Sequence, residues 1–183
     1  MMWNFSLFNK PKKDELRPTE RPGMAPADWI LEMIAAIGLI LMAGYAIYWY
    51  GKLPEIIPSH FSGGKVDGYS NKGFIFFLPA VGLFVYGLLT FVALIPHTFN
   101  FPVKITPQNA LYQYRLATRL IRVLKTMIMF LFFVIMVNIV HSALYAEVGK
   151  QFFLLIPFFF LIFASVITYM ILAGSKSDKQ RRS

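Results

Sequence analysis

Four long apolar stretches separated by polar segments dominate the pattern of hydrophobic and polar positions along the chain. They cover approximately residues 29–50, 73–95, 126–145 and 152–172. Each is about 20 residues long, enough for a helix rising about 1.5 Å per residue to cross a hydrocarbon core of about 30 Å. The pattern therefore predicts an all-α integral membrane bundle of four transmembrane helices within residues 28–174.

The composition and the placement of basic residues predict how this bundle is oriented. Apolar residues make up 57% of the chain and charged residues only 15%. Of the 18 Lys and Arg residues, 14 lie in the tails 1–27 and 175–183 and in the segment 96–125. Lys and Arg are retained on the cytoplasmic side, so both termini and the 96–125 segment are expected inside and the 51–72 loop outside. Anionic lipid of the inner leaflet explains the net charge of +9, and no nucleic-acid partner is expected.

The loop between the first two spans has the most distinctive sequence, LPEIIPSHFSGGKVDGYSNK at 53–72. Pro54 and Pro58 stiffen its first half and favour extended backbone before each proline. Gly63 and Gly64 permit turns that other residues resist, and Asp67 begins an Asp-Gly turn dipeptide. We therefore expect a short ordered extracytoplasmic loop that caps the outer helix ends.

This loop, followed by an apolar span with an early proline, resembles the bacterial membrane domain of unknown function 1648. The matching positions are Leu53, Pro54, Ile57, Pro58, His60, Phe61, Gly64, Asp67, Gly68, Tyr69 and Lys72. The resemblance covers roughly residues 30–95, and Ser62 stands where the family often has Asn. The same domain forms the N-terminal part of the SdpI-type immunity protein, which protects cells against a secreted killing peptide. The resemblance implies a bacterial cytoplasmic-membrane protein, but nothing after residue 96 resembles the rest of that immunity protein.

Six loop residues are candidates for binding an extracellular ligand. They are Glu55, His60, Phe61, Asp67, Tyr69 and Lys72. The alternative for His60 is a structural hydrogen bond that fixes the loop. One His with two scattered carboxylates matches no common metal site, so no metal is expected. The chain has no cysteine, no cofactor motif and no recognisable catalytic motif, so no catalytic residue or cofactor is predicted.

Three polar residues within the spans are candidates for an intramembrane site. Glu32 lies one turn after Asp28, which can cap the first span. An acidic residue in a membrane segment is a functional candidate, and pairing with Arg119 or Arg122 is the structural alternative. Asn138 and His141 share one face of the third span, where Ser142, Ser165 and Thr168 could join them. Interhelical hydrogen bonding is the alternative for these residues.

The segment 107–125 predicts a basic amphipathic helix on the cytoplasmic side, with Thr106 as its cap. Its basic face carries Arg115, Arg119, Arg122 and Lys125. Such a helix suits the anionic inner leaflet, and a cytoplasmic protein is the alternative partner. A second copy of the chain, forming a homo-oligomer, is a further alternative partner.

Three function classes remain from the sequence. The first is a non-enzymatic membrane protein of immunity or signalling type that recognises an extracellular peptide or toxin through the 53–72 loop. The second is a small transporter, or an accessory subunit of one, with Asn138 and His141 as its polar site. The third is a membrane enzyme that acts on lipid, and its only support in the sequence is the basic cytoplasmic surface.

Overall fold

The computed structural model describes residues 17–145, 153 and 155–181 of the chain, with side chains as far as residue 175. The element order is α1 (Pro26–Tyr50), β1 (Ile56–Ser62), β2 (Lys65–Asn71), α2 (Phe77–Val92), α3 (Ala110–Tyr145) and α4 (Leu155–Arg181). Short 3-10 helices precede α2 (Lys72–Phe76) and follow it (Pro96–Thr98). The residues 1–16 and 146–152, which include most of the basic N-terminal tail and the turn between the last two spans, lie outside the described residues.

Four helical segments are long and apolar enough to cross a membrane, which confirms the predicted architecture. Their bounds are Pro26–Tyr50, Lys72–Val92, Ala110–Tyr145 and Leu155–Ser175. The prolines near the starts of α2 and α4, Pro79 and Pro157, fall in the first turn of each helix. A proline there removes no intrahelical hydrogen bond, so neither residue interrupts its span.

The start of α1 differs from the prediction that Asp28 caps it. Ala25 is the residue that precedes the helix, and Pro26 is its first residue. Asp28 stands in the first turn, where its Oδ2 accepts a hydrogen bond from the Ala25 backbone N–H at 2.8 Å. The carboxylate therefore stabilises the helix start from inside the helix, where it also complements the helix dipole.

A single helix of 36 residues, α3, replaces the predicted surface helix and separate third span. Its start is fixed by Thr106 and Asn109, which bond each other reciprocally: Thr106 N donates to Asn109 Oδ1 at 2.9 Å and Asn109 N donates to Thr106 Oγ1 at 3.4 Å. At about 1.5 Å per residue α3 is about 54 Å long, far longer than one crossing requires. Because the helix is continuous, its first turns extend beyond the membrane span and do not form a separate helix lying along the surface.

Two ends of the bundle can be distinguished by what they carry. At the hairpin end, a buried cluster joins α1, α3 and the β-hairpin, and its members are Met42, Ala46, Leu53, Ile57, Ile75, Met136, Ile139 and Val140. At the opposite, basic end, Gln113 Nε2 donates to the Ala173 carbonyl oxygen at 3.1 Å and ties α4 to α3. Helix α4 packs mainly on α3, and Ala173 is its only buried residue among those whose side chains are described.

Candidate functional site

The loop between α1 and α2, for which the sequence predicts order but no strands, is a two-stranded antiparallel β-hairpin. Gly63 and Gly64 form its turn with φ of +56° and +76°. Two successive positive φ angles characterise the two-residue turn whose twist matches that of an antiparallel strand pair. Ser62 pairs with Lys65 directly beside the turn, and Ile56 pairs with Asn71 at the other end of the hairpin.

The hairpin is seated on the helices by apolar side chains on its inner face. Ile57 is completely buried, Leu53 is nearly so, and both belong to the cluster that contains Met42 and Met136. Phe61 packs partly buried against the same cluster. The structure therefore places Phe61 on the inner face, away from the other loop residues proposed as ligand-binding. Burial of these side chains stabilises the position of the hairpin above the helix ends.

His60 and Asp67 lie opposite one another on the outer face of the hairpin. His60 Nδ1 lies 2.5 Å from Asp67 Oδ1, and the His60 side chain is 72% exposed. The pairing register shifts on either side of His60, which pairs with Gly68. A Cβ at residue 68 would lie 2.8 Å from the His60 Cβ, so glycine is required for this close approach. The structural alternative for His60, a hydrogen bond within the loop, is present in the form of this side-chain contact with Asp67.

The base of the hairpin is closed by charged side chains. Lys72 Nζ donates to Glu55 Oε1 at 2.7 Å, and Lys72 N donates to the Glu55 carbonyl oxygen at 2.8 Å. Lys52 Nζ lies 3.5 Å from the centroid of the Tyr48 ring, a cation–π contact. Glu55 and Lys72, two of the proposed ligand-binding residues, are therefore already paired with each other.

The outer face of the hairpin also exposes apolar groups. Ile56 is 58% exposed and Tyr69 is 64% exposed. Together with His60 and Asp67 they form what we call the outer hairpin face. Of the six loop residues proposed from the sequence, the structure brings His60, Asp67 and Tyr69 to this face. Ile56 was missed, because strand alternation was not recognised in this loop.

At the basic end, α1 and α3 are joined by an ion-pair cluster of Asp28, Glu32, Arg119, Arg122 and Lys125. Arg119 Nε donates to Asp28 Oδ1 at 2.8 Å. Arg122 Nε lies 3.2 Å from Glu32 Oε1, and Lys125 Nζ lies 2.5 Å from Glu32 Oε2. The structural alternative foreseen for Glu32, a pair with Arg122, is thus present, whereas Arg119 pairs with Asp28.

Three basic residues expected to contact the lipid surface are instead directed into this cluster. Lys125 has no exposed side-chain surface, and its Nζ also donates to Thr90 Oγ1 at 2.8 Å and lies 4.4 Å from the Tyr86 ring centroid. Arg122 is buried, and Arg119 is partly exposed. Arg115 alone of the four is on the exposed side of α3, and its contact with lipid stays a prediction. The three side chains point inward because the two carboxylates of α1 give their positive charges partners inside the bundle.

The polar residues foreseen as an intramembrane site do not all come together. Asn138 is completely buried, and its Nδ2 donates to the Val134 carbonyl oxygen at 2.9 Å within α3. Asn138 Oδ1, His141 Nδ1 and Ser142 Oγ have no hydrogen-bond partner among the described residues. Ser165 and Thr168 bond carbonyl oxygens of their own helix, Ile162 and Ala164.

No group of three or more potential metal-ligating side chains occurs within the part of the chain that the structure describes. The fold and this arrangement define a multi-pass α-helical membrane protein that carries a two-stranded β-hairpin at one end.

Residues 37–83 match the family described as Domain of unknown function (DUF1648). The chain therefore contains this domain, as its resemblance predicted. The matched residues comprise most of α1, the hairpin and the first part of α2, so the outer hairpin face lies inside the domain. No curated protein and no solved structure matches the chain significantly.

Proposed function

We propose that this protein is a non-enzymatic bacterial inner-membrane protein of immunity or signalling type, which recognises an extracellular peptide or toxin through its hairpin. The observation that carries the proposal is the outer hairpin face. It presents Ile56, Tyr69 and the His60–Asp67 pair to solvent on a hairpin whose inner side chains are buried in the bundle. A preformed surface binds at a lower entropic cost than a mobile loop.

The proposed sidedness rests on the distribution of basic residues. Lys and Arg concentrate at the end opposite the hairpin, which favours a cytoplasmic basic end and an extracytoplasmic hairpin. Exposed aromatic side chains such as that of Tyr69 are also enriched at recognition surfaces. In this arrangement the hairpin meets peptides that arrive from outside the cell, and the ion-pair cluster at the other end holds α1 and α3 together.

A survival assay with secreted antibacterial peptides tests this proposal. Cells that express the full chain are expected to tolerate at least one such peptide better than cells that do not. The double substitution His60→Ala and Tyr69→Ala should remove that tolerance, because it deletes exposed groups while the buried Ile57 remains. The matched control is Arg115→Ala, an exposed substitution on α3 at the basic end, which should keep full tolerance.

Membrane abundance is measured by immunoblot for every variant in that assay. Tolerance that is unchanged in the hairpin double variant at equal abundance would contradict recognition through this face. The absence of any tolerance across the peptide panel would contradict an immunity role, and binding of the same peptides to purified protein then tests signalling.

A second function is favoured by a separate observation in α3. Buried polar atoms without partners among the described residues, Asn138 Oδ1 and Ser142 Oγ, are costly in a membrane span and suit a small transporter or its accessory subunit. Liposomes containing the wild type should then show solute flux, and Asn138→Ala or His141→Ala should reduce it. Flux in these variants equal to that of the wild type would remove the assignment.

A further inference from the structure

The hydrogen-bond register of the hairpin determines which backbone groups of β2 face away from β1. Lys72 N bonds the Glu55 carbonyl oxygen, so residues 55 and 72 form a hydrogen-bonded pair. Hydrogen-bonded and non-hydrogen-bonded pairs alternate along an antiparallel ladder. Pro58, which has no N–H, faces Tyr69 in a non-hydrogen-bonded pair, as this alternation requires. The N–H and C=O groups of Tyr69 and the N–H of Asn71 therefore point away from β1, whereas the Asn71 carbonyl, which precedes the 3-10 helix, accepts the first hydrogen bond of that helix.

The two edges of this small sheet differ in their accessibility. The β1 strand packs against α3, and Ile57 and Pro58 within it are buried. The β2 strand packs mainly against β1 and the 3-10 turn after it, and none of its residues is buried. It also contains no proline. An uncovered strand edge of this kind is a template for pairing with another extended chain.

The charges beside this edge indicate what kind of chain it accepts. Lys65, at the start of β2, is exposed and has no ion-pair partner among the residues that the structure describes. The carboxylate of Asp67 is occupied by His60, and that of Glu55 by Lys72. The unmatched charge along the edge is thus positive, and Tyr69 adds an exposed aromatic ring further along it.

We propose that β2 binds an extended peptide by strand addition, with an acidic residue beside Lys65 and an apolar residue beside Tyr69. The inference rests on the proposed function and specifies how the hairpin would hold its peptide. Backbone hydrogen bonds to the outward groups of Tyr69 and Asn71 supply affinity, and the two side chains supply selectivity. The bound peptide becomes the third strand of the sheet.

The test uses a labelled nine-residue peptide of alternating valine and threonine with one glutamate near its end, and the full chain in lipid nanodiscs. A series of peptides is prepared in which one backbone amide at a time is N-methylated. Strand addition predicts that affinity falls about tenfold at every second amide and changes less than about twofold at the amides between them, because only alternate amides face β2. The protein is unchanged throughout, so its folding cannot produce the pattern.

Two protein variants test the charge complementarity. Lys65→Glu should weaken binding of the glutamate peptide and strengthen binding of a matched lysine peptide. Lys104→Glu, an exposed substitution outside the hairpin, should change neither. A failure of the unmethylated peptide to bind, or a loss of affinity without alternation, would overturn strand addition. The Asn71→Cys variant tests whether β2 pairs with β2 of a second copy instead. Disulfide cross-linking of two copies that the peptide does not inhibit would also overturn strand addition of a peptide.

The experiments distinguish a failure of strand addition from a failure of the proposed function. If strand addition is wrong but the His60 and Tyr69 substitutions still abolish peptide tolerance in cells, the hairpin recognises its ligand through side chains. If tolerance does not depend on the hairpin, the proposed function itself fails.

Discussion

Lys125 of α3 and Glu32 of α1 form an ion pair of 2.5 Å in which the lysine has no exposed side-chain surface. Glu32 also faces Arg122, while Lys125 contacts Thr90 and the ring of Tyr86 on α2. Three helices thus meet at one charged pair. Breaking such a pair leaves a charge without compensation in a poorly solvated position.

Glu32→Ala is therefore expected to destabilise the protein by about 3–5 kcal/mol. The double substitution Glu32→Ala and Lys125→Met removes both charges and should recover much of that loss. Recovery is incomplete because Arg122 also loses Glu32 and keeps only the more distant carboxylate of Asp28, 4.0 Å away. Unfolding in mixed micelles with increasing dodecyl sulfate, followed by tryptophan fluorescence, measures the difference. Arg115→Ala, on the exposed side of the same helix, is the control and should unfold like the wild type. Equal stability of Glu32→Ala and the wild type would show that the pair contributes nothing.

Two glycines of α1 provide a matched test of how closely α1 packs on α3. A Cβ at Gly38 would lie 3.2 Å from the Met129 Cβ, whereas nothing lies within 4 Å of one at Gly44. Gly38→Val should lower the thermal midpoint in detergent, because the Met129 Cβ is fixed to the α3 backbone and cannot move aside. Gly44→Val should be close to neutral. A result in which both variants melt alike would contradict this packing.

The hairpin contains a similar constraint at Gly68. Gly68→Ala places a methyl group against the His60 Cβ, so the two strands must separate locally and the His60–Asp67 contact should be lost. Hydrogen exchange in residues 56–71 is expected to increase by at least about tenfold, the equivalent of about 1.4 kcal/mol. Gly51→Ala is the control, since Gly51 has a φ of −73° and open space around it. Unchanged exchange in Gly68→Ala would show that the close approach is not rigid.

Cysteine labelling tests the orientation of the bundle directly, because the chain has no cysteine of its own. In intact cells a membrane-impermeant maleimide should label Lys65→Cys in the hairpin and should leave Arg115→Cys unlabelled until the cells are lysed. This follows from the retention of Lys and Arg on the cytoplasmic side. The reverse pattern would place the hairpin in the cytoplasm and remove its role toward extracellular peptides.

The four spans were predictable because each depends only on the local length of an apolar run. The continuity of α3 was also accessible in principle, since no Gly or Pro occurs from Gln108 to Val148. It was missed because the basic residues of 107–125 were interpreted as a lipid-contacting face. Their true partners, Asp28 and Glu32, lie on another helix. The face of α1 that packs against α3 is determined by helix packing, which a single sequence does not reveal.

The two strands of the hairpin are the second feature that was missed in the sequence. Gly63-Gly64 between two segments of seven residues is the sequence pattern of a two-residue hairpin turn. The prolines in the first half of the loop predicted extended backbone but not a paired strand, and Pro58 occupies a non-hydrogen-bonded position where it costs no ladder bond. The pairing of His60 with Asp67 occurs where the strand register shifts twice, and a sequence pattern of alternating residues does not reveal such shifts.

The separation of the paired charges along the chain has a consequence for biogenesis. Asp28 and Arg119 are 91 residues apart, and Glu32 and Lys125 are 93 apart. During synthesis α1, with its two carboxylates, is therefore made before the hairpin, α2 and the basic residues of α3. The ion-pair partners of these carboxylates among the described residues lie on α3, so these pairs can form only after the third helix has been translated.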